Sequence, residues 1–543
     1  MADIPAPPVA QREPTVLETH GDRRVDDYHW LRDRDDPAVV AYLEAENAYA
    51  DAVMAPTRDL QERIYAEMVA RIQETDLSVP VRHGPYVYYS RSVEGLQYPL
   101  WCRKPATGGA GDSDSAEQVM IDQNVLAQGH EYCSLGLLEV SPDHHLLAWS
   151  LDTEGDEEYV LRIRDLDTGE DLPDEIPGTY YGAAWASDNR TLFYTTLDDA
   201  KRPWRVWRHG LGTPAGDDVI VHQEDDERFF ATVSRTRSGA FVMIDLHSAV
   251  TSEVRVLAAD DPDGTFRLVE GRRQGVEYSV EHHGDRFFIL TNEGAPNFRL
   301  AEAPADDPGA GSWREILPHR PEVKLEGIAA FTDHLVVLER AEAVRRILVR
   351  RLSTGDQHLV DQPEAVCSVS VSDGDNPEFE TSVLRFNYTS LVTPRSVYDY
   401  DLVGGERTLL KQDPVLGGYD PSRYRTERLW ADAPDGARVP ISVVRRADTP
   451  VDGTAPLLLY GYGSYEACSD PRFSSLRLSL LDRGFVWAIA HIRGGGEMGR
   501  PWYEAGKLHE KPNTFTDFIA AAEHLVKTGW ASPERLVCLG GSA

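Results

Sequence analysis

The feature that most constrains the fold is a β-rich unit that recurs from about residue 80 to about residue 415. Each copy has an apolar strand, a polar connection, a second strand and a turn that often carries Thr-Gly or Asp-Gly. Such a unit cannot bury its apolar faces alone, so the copies must pack side by side. We predict a seven-bladed β-propeller over residues 79–415, with a propeller of six or eight blades or an irregular sandwich as alternatives. The aligned residues, 46 to 60 positions apart, are Tyr86, Leu146, Leu192, Phe241, Phe287, Leu335 and Val383.

The pattern changes over residues 416–543, where short, nearly continuous apolar strands alternate with an amphipathic helix. Such strands are typical of a parallel sheet that is covered by helices. We therefore predict the N-terminal part of an α/β-hydrolase domain here, incomplete at its C-terminal end. Its helix is expected to begin at Thr514 as N-cap, with Asp517 three residues later. Residues 1–78 read as an extended arm followed by helices, which we expect to pack on the hydrolase domain.

The last apolar strand runs into Gly540-Gly541-Ser542. In α/β-hydrolases the nucleophilic serine lies on a sharp turn between a strand and a helix, with glycines around it. Ser542 is therefore the predicted nucleophile, although a flexible turn would also fit these three residues. The acid and the histidine of a triad follow the serine in this fold. We expect both beyond Ala543, so the chain as printed is expected to be truncated and inactive.

Hydrolysis through a serine also needs hydrogen-bond donors for the oxyanion of the transition state. The backbone N–H of Ala543, directly after Ser542, is the first predicted donor. The second normally lies in a loop after an earlier strand, where this chain has Gly461-Tyr462-Gly463. We predict that the Tyr462 hydroxyl is this donor, and a packing aromatic is the alternative.

Other polar residues of this region receive structural roles. His491 and His524 fall on a predicted strand and helix, and the fold places the catalytic histidine after the serine. His509 is likewise not expected to be the base. Arg493 and Glu497 flank three glycines and are expected to form ion pairs that stabilise the loop.

Charge and composition exclude several classes of function. The formal net charge of −35 argues against nucleic acid as a partner. An acidic field would attract cationic ligands such as basic peptides, and simple solubility or adaptation to salt is the alternative explanation of the charge. Five isolated cysteines predict neither a disulfide framework nor structural zinc, and we expect no metal or organic cofactor. No apolar run is long enough for a membrane span, and no secretory signal is visible, so a cytoplasmic protein is expected.

Several motifs along the chain resemble the prolyl oligopeptidase family of serine peptidases, and in particular its branch that cleaves after arginine and lysine. The motifs lie at residues 26–33, 206–214, 461–465, 478–485, 493–497, 513–515 and 540–543. The resemblance implies a propeller that caps a hydrolase domain, so that short basic peptides are cut and folded proteins are excluded. A monomer is expected.

The resemblance also implies substrate-binding residues. It implies Ser542, Tyr462 and Ala543 in the catalytic roles given above, and Tyr465 and Asp470 in substrate binding, Asp470 for a second basic residue of the peptide. The residue two positions after Asp470 is Arg472, where the resembling enzymes carry an acid, and this departure argues against a preference for paired basic residues. Alternatives are a prolyl oligopeptidase, an acylaminoacyl peptidase or esterase, or a non-catalytic binding protein.

Overall fold

The residues of the chain fall into two units, residues 1–72 and 73–543. The computed structural model describes residues 5–106 and 117–542. The first unit contains a two-stranded antiparallel sheet, β1 (Thr15–Thr19) and β2 (Asp22–Asp26), and two helices, α1 (Pro37–Met54) and α2 (Arg58–Val69). Asp36 caps helix α1, because its carboxylate accepts a hydrogen bond from the Ala38 N–H at 2.8 Å. The packing of this region on the hydrolase domain stays a prediction.

The β-rich part of the second unit is a series of antiparallel sheets. Five of them have four strands each, and one has seven strands in the order β13-β12-β11-β10-β9-β8-β7. The four-stranded sheets are β3-β4-β5-β6, β14 to β17, β18 to β21, β22 to β25 and β26 to β29, in chain order. The bounds are β3 (Val81–His83), β4 (Tyr86–Arg91), β5 (Leu100–Pro105), β6 (Gln118–Asp122), α3 (Gln123–Leu126), β7 (Ser134–Val140), β8 (Leu146–Asp152), β9 (Tyr159–Asp165), β10 (Asp171–Trp185), β11 (Thr191–Leu197), β12 (Pro203–Gly210), β13 (Val219–Gln223), β14 (Phe230–Arg235), β15 (Phe241–His247), β16 (Ser252–Ala258), β17 (Arg267–Glu270), β18 (Tyr278–His283), β19 (Arg286–Thr291), β20 (Arg299–Pro304), β21 (Arg314–Leu317), β22 (Lys324–Ala330), β23 (His334–Ala341), β24 (Val344–Arg351), β25 (Gln357–Leu359), β26 (Cys367–Ser370), β27 (Val383–Ser390), β28 (Ser396–Asp401) and β29 (Arg407–Gln412).

The predicted count of seven blades is wrong. The described residues form five four-stranded blades and one larger sheet, and the larger sheet results from the 15-residue strand β10. Its first half pairs with β9, as in Ile176 opposite Leu161, and its second half pairs with β11. Pro177-Gly178 is a typical turn signal, but Gly178 adopts φ +69° at an irregularity in the register, and the strand continues.

The C-terminal part is the expected hydrolase sheet, with helices. Its strands are β30 (Tyr424–Asp432), β31 (Arg438–Arg446), β32 (Leu457–Tyr460), β33 (Val486–Ala490) and β34 (Leu536–Leu539), and its helices are α4 (Leu478–Leu481), α5 (Arg500–Glu504) and α6 (Pro512–Lys527). The strand order is β30-β31-β33-β32-β34, and β32 runs parallel to both of its neighbours. Strands β30 and β31 form an antiparallel hairpin and pair along their full length.

The core of this sheet forms because apolar side chains on the strands pack against helix α6. Fully buried members include Ile441, Leu457, Leu459, Val486 and Leu525. Burying such aliphatic side chains stabilises a fold by about 1.5–3 kcal/mol each. The core fixes the strand register, and with it the places where the loops that follow β32 and β34 leave the sheet.

Candidate active site

The predicted nucleophile, Ser542, lies three residues after the end of strand β34. Its backbone has φ +63°, in the left-handed region that residues other than glycine rarely occupy. Such strain is commonly found at functional sites, and it is the conformation expected of a nucleophile on a strand-to-helix turn. Ser542 is exposed, so its hydroxyl is accessible to solvent. The predicted backbone donor, Ala543, lies outside the described residues.

The loop that carries Tyr462 leaves the sheet at the carboxyl end of its strands, the same end at which Ser542 lies. Strand β32 pairs in parallel with β34, with Tyr460 opposite Leu539. The ladder continues one step further, because the Gly461 N–H donates to the Leu539 carbonyl at 3.3 Å. The half-buried Tyr462 and the exposed Ser542 therefore follow neighbouring carboxyl ends of parallel strands. In open α/β sheets, ligands bind at this edge.

Glycine is required on both sides of Tyr462 by close packing. A Cβ on Gly461 would lie 2.7 Å from a ring carbon of Phe518. Gly463 has φ +69°, and a Cβ there would lie 2.6 Å from the Thr514 methyl group and 2.9 Å from the Arg493 carbonyl. The loop therefore lies directly against helix α6 and against the loop that follows β33, and this contact fixes where the Tyr462 backbone runs.

The loop after β33 interlocks with the Tyr462 loop. Gly494 has φ +95°, and a Cβ on it would lie only 2.0 Å from the Gly463 carbonyl oxygen. The Lys511 ammonium donates to the same carbonyl at 2.9 Å and also to the Ser464 hydroxyl. Burial lowers the pKa of Lys511. These contacts hold two loops together that are far apart in sequence.

Arg493 forms a buried ion pair beneath these loops, and its partner is Asp517. The Asp517 carboxylate is fully buried and accepts from the Arg493 backbone N–H at 3.0 Å, from Nε at 2.8 Å and from Nη2 at 2.6 Å. The other end of the guanidinium donates to the half-exposed Asp435 at 2.6 Å. The hydrogen bonds that Arg493 donates to Asp517 raise the pKa of Arg493. The interpretation of Arg493 as a residue that stabilises the loop is confirmed.

The histidines of this domain have the structural surroundings expected of them. His491 is completely buried, with Nε2 2.7 Å from the Ser442 hydroxyl and Nδ1 3.6 Å from the Glu497 carboxylate. Burial lowers the pKa of His491. Glu497 in turn accepts from the Ser469 N–H at 2.8 Å. His524 lies within helix α6.

The two predicted substrate-binding residues differ in accessibility. Tyr465 is 76% exposed and has φ +56°. The Asp470 side chain is only 4% exposed, and it accepts from Nη1 of Arg340 on propeller strand β23 at 2.7 Å. Burial alone would raise the pKa of Asp470, but Arg340 outweighs it and holds that pKa below its usual range. The Arg472 guanidinium lies 3.8 Å from Asp470 and is 68% exposed.

Arg340 is a residue of the site that the sequence did not reveal. Its side chain is fully buried, and it donates to Asp470 at 2.7 Å and to Glu326 of strand β22 at 2.7 Å. Asp470 lies 130 positions further along the chain, and a local sequence pattern cannot predict a contact over that distance. A weak signal was the charge of Arg340, which follows four consecutive apolar residues and Glu339 on strand β23.

Neither a metal centre nor a membrane-spanning helix was found in the part of the chain that the structure describes. In residues 5–106 and 117–542, no group of three or more His, Cys, Asp or Glu side chains is arranged to hold a metal ion. The helices within those ranges are too short or too polar to cross a bilayer.

Comparison with known families and proteins assigns both parts of the chain. A model described as the prolyl oligopeptidase N-terminal beta-propeller domain matches residues 7–413. A model described as the prolyl oligopeptidase family matches residues 471–543.

Curated relatives and solved structures point the same way. Dipeptidyl aminopeptidase BI from Pseudoxanthomonas mexicana is 44% identical over 558 residues, which cover 100% of this chain and 76% of that protein. Protease 2 from Moraxella lacunata is 40% identical, over 99% of this chain and 77% of that protein. The structure of oligopeptidase B from Leishmania major matches with a TM-score of 0.91 at 36% identity, and covers 98% of this chain and 78% of that one. The chain therefore belongs to the prolyl oligopeptidase family of serine peptidases, with oligopeptidase B among its structural neighbours.

Proposed function

We propose that the protein is a serine oligopeptidase that hydrolyses short peptides on the carboxyl side of arginine or lysine, with Ser542 as its nucleophile. The observation that carries the proposal is the left-handed backbone of Ser542, with φ +63°, three residues after a strand that pairs in parallel with the strand leading to Tyr462. The chain is 40% identical to a Protease 2 and matches the structure of an oligopeptidase B at 36% identity. Both similarities support the branch of the family that cleaves after arginine and lysine.

In this mechanism the Ser542 hydroxyl oxygen attacks the carbonyl carbon of the peptide bond, and its proton passes to a histidine base. The oxyanion that forms accepts hydrogen bonds from the Tyr462 hydroxyl and the Ala543 N–H. When the C–N bond breaks, the histidine returns the proton to the leaving amine, and an acyl-enzyme on Ser542 remains. Water then hydrolyses this ester. In this fold the acid and the histidine of the triad follow the serine along the chain.

The test is hydrolysis of a blocked arginyl aminocoumarin by the gene product purified from its own source. We expect turnover, and we expect Ser542→Ala to lower it by up to about a million-fold, as removal of a triad serine does. Ser532→Ala, in the segment that leads into β34, is the matched control and should keep normal turnover. A fluorophosphonate probe should label the peptide that contains Ser542. Full activity in the Ser542→Ala protein would refute this role.

A second candidate is a dipeptidyl aminopeptidase, because the relative that is 44% identical carries that name. Such an enzyme removes two residues from a free amino terminus, so it requires an unblocked dipeptidyl substrate. The ratio of turnover on Ala-Arg-aminocoumarin and on its acetylated form separates the two. A preference of tenfold or more for the free amine would favour the aminopeptidase. Cleavage after proline would favour a prolyl oligopeptidase, and cleavage of ester substrates alone would favour an esterase. Cleavage of none of these substrates would favour a non-catalytic binding protein.

A further inference from the structure

A cavity of about 520 Å³ lies between propeller strands and the loop after β32. The propeller contributes Lys324 and Glu326, and the loop contributes Glu466, Asp470 and Arg472. This cavity is rich in charge, so its preference for a ligand depends on which charges remain unpaired.

The carboxylate of Glu466 is paired with two cations. It lies 2.5 Å from the Lys324 ammonium and 2.8 Å from Nη1 of Arg500. Arg500 also pairs with Glu277, another carboxylate of the wall. These four side chains form a closed network in which the charges are equal in number.

Asp470 and Glu326 are paired in the same way. The buried Arg340 donates to both carboxylates at 2.7 Å, and Arg345 donates to the second oxygen of Glu326 at 2.6 Å. Removing such a carboxylate from its partner in order to bind a substrate cation would leave Arg340 buried and uncompensated, which is costly. Asp470 is therefore not available to a basic residue of the peptide.

Arg472 is the cation of the wall with the least complete pairing. Its side chain is 68% exposed, and its ion pair with Asp470 is long, at 3.8 Å. Asp470 is already neutralised by Arg340. The same guanidinium lines a second cavity, of about 460 Å³, beside the last propeller sheet. Arg472 thus presents positive charge to the space between the propeller and the hydrolase loop.

We propose that Arg472 determines specificity in this cavity by binding a carboxylate of the peptide substrate, and that the propeller's Arg340 prevents Asp470 from selecting a basic residue. The inference rests on the proposed peptidase function and adds to it a substrate class. The carboxylate comes either from an Asp or Glu side chain or from the C-terminus of a short peptide, and planar guanidinium groups suit both.

A kinetic experiment measures the preference directly. The substrates are acetyl-Glu-Arg, acetyl-Gln-Arg and acetyl-Lys-Arg aminocoumarins. An exposed ion pair is worth up to about 1 kcal/mol, so we expect kcat/KM for the Glu substrate to exceed that for the Gln substrate by up to about fivefold. Arg472→Gln should abolish the ratio, Arg472→Lys should keep most of it, and Arg472→Asp should favour the Lys substrate. An unchanged ratio in Arg472→Gln refutes selection of a side-chain carboxylate at that position.

Arg395→Gln is the matched control, because Arg395 is an exposed arginine that lines the 460 Å³ cavity and not the 520 Å³ one. We expect it to leave all three substrates unchanged. An equal loss of the Glu preference in Arg395→Gln and Arg472→Gln would mean that general surface charge is responsible, and the proposal would fail.

A binding experiment keeps this inference separate from the peptidase proposal. Fluorescein-labelled Ala-Ala-Ala with a free C-terminus, its amide, and Ala-Glu-Ala amide are titrated into the Ser542→Ala protein, and anisotropy is measured. Tighter binding of the free-acid Ala-Ala-Ala than of its amide identifies a terminal carboxylate, and tighter binding of Ala-Glu-Ala amide than of Ala-Ala-Ala amide identifies a side-chain carboxylate. Arg472→Gln should remove either difference. If neither difference depends on Arg472, the inference is wrong, whether or not the protein hydrolyses peptides.

Discussion

Replacing Asp517 by alanine should destabilise the hydrolase part of the molecule more than any surface substitution. Asp517 is 0% exposed at its side chain and accepts three hydrogen bonds from Arg493, whose side chain is 7% exposed. Without the carboxylate, a guanidinium remains buried with little compensation. Removing one partner of a buried pair costs about 3–5 kcal/mol.

The remaining partner of Arg493 reduces this figure somewhat. Asp435 accepts from the other end of the guanidinium at 2.6 Å and is 48% exposed. Exposed pairs contribute about 0–1 kcal/mol. We therefore expect Asp517→Ala to lower the local free energy of unfolding by about 2–4 kcal/mol. Asp435→Asn is the matched control, and its expected loss is at most about 1 kcal/mol.

Hydrogen exchange is the suitable assay, because a chain with two units need not unfold in a single step. In Asp517→Ala, amides of strand β33 and helix α6 should exchange roughly 30- to 1,000-fold faster, since each tenfold change corresponds to about 1.4 kcal/mol. Amides of propeller strands β14 to β17 should be unaffected. Equal acceleration in Asp517→Ala and Asp435→Asn, or acceleration below about fivefold in Asp517→Ala, would show that the buried pair contributes little.

Two further predictions concern backbone and pH. Gly494→Ala should lower the free energy of unfolding by about 2–4 kcal/mol, because Gly494 is left-handed and the new Cβ would meet the Gly463 carbonyl. In the control Gly436→Ala, the residue has φ +87° but no atom lies within 4 Å of the new Cβ, so the expected loss is about 1–2 kcal/mol. Thermal melts measure both losses. Burial lowers the pKa of His144 to about 4, whereas the same histidine keeps its ordinary value near 6.5 in the unfolded chain. The neutral form of His144 therefore contributes fully to the stability of the folded state above pH 6.5. This contribution is lost as the pH falls towards 4. His144→Gln, which removes the titration next to the Tyr88 hydroxyl, should flatten the melting temperature across that range, and an unchanged slope would contradict it.

The sequence predicted the hydrolase sheet well because its strands and helix have strong local patterns. The helix itself begins at Pro512 and not after Thr514, so the predicted cap is wrong. Thr514 donates to the Arg493 carbonyl at 2.8 Å, and Asp517 binds Arg493 in place of capping the helix. Both residues are used in tertiary contacts, which override the local preference that the cap motif expresses.

The features that could not be predicted depend on distant pairing. The Arg340–Asp470 contact joins residues 130 positions apart, and no period in the sequence encodes it. The number of separate propeller sheets likewise depends on whether the chain turns or only bulges at Gly178, and a Pro-Gly pair permits both. The role of Ser542 stays a prediction, made because a serine that follows two glycines and an apolar strand matches the nucleophile turn of α/β-hydrolases.

The long strand β10 makes the propeller mechanically uneven. Neighbouring four-stranded sheets share isolated backbone hydrogen bonds, such as that from the Leu325 N–H to the Asn297 carbonyl, whereas the seven-stranded sheet is joined across its whole width by a continuous ladder. Pulling on the molecule, or cutting its chain between β9 and β11, would therefore not release one blade at a time in this region. The seven strands would unfold as one unit. A junction between two other sheets is therefore a better place to insert a domain or to relocate the termini.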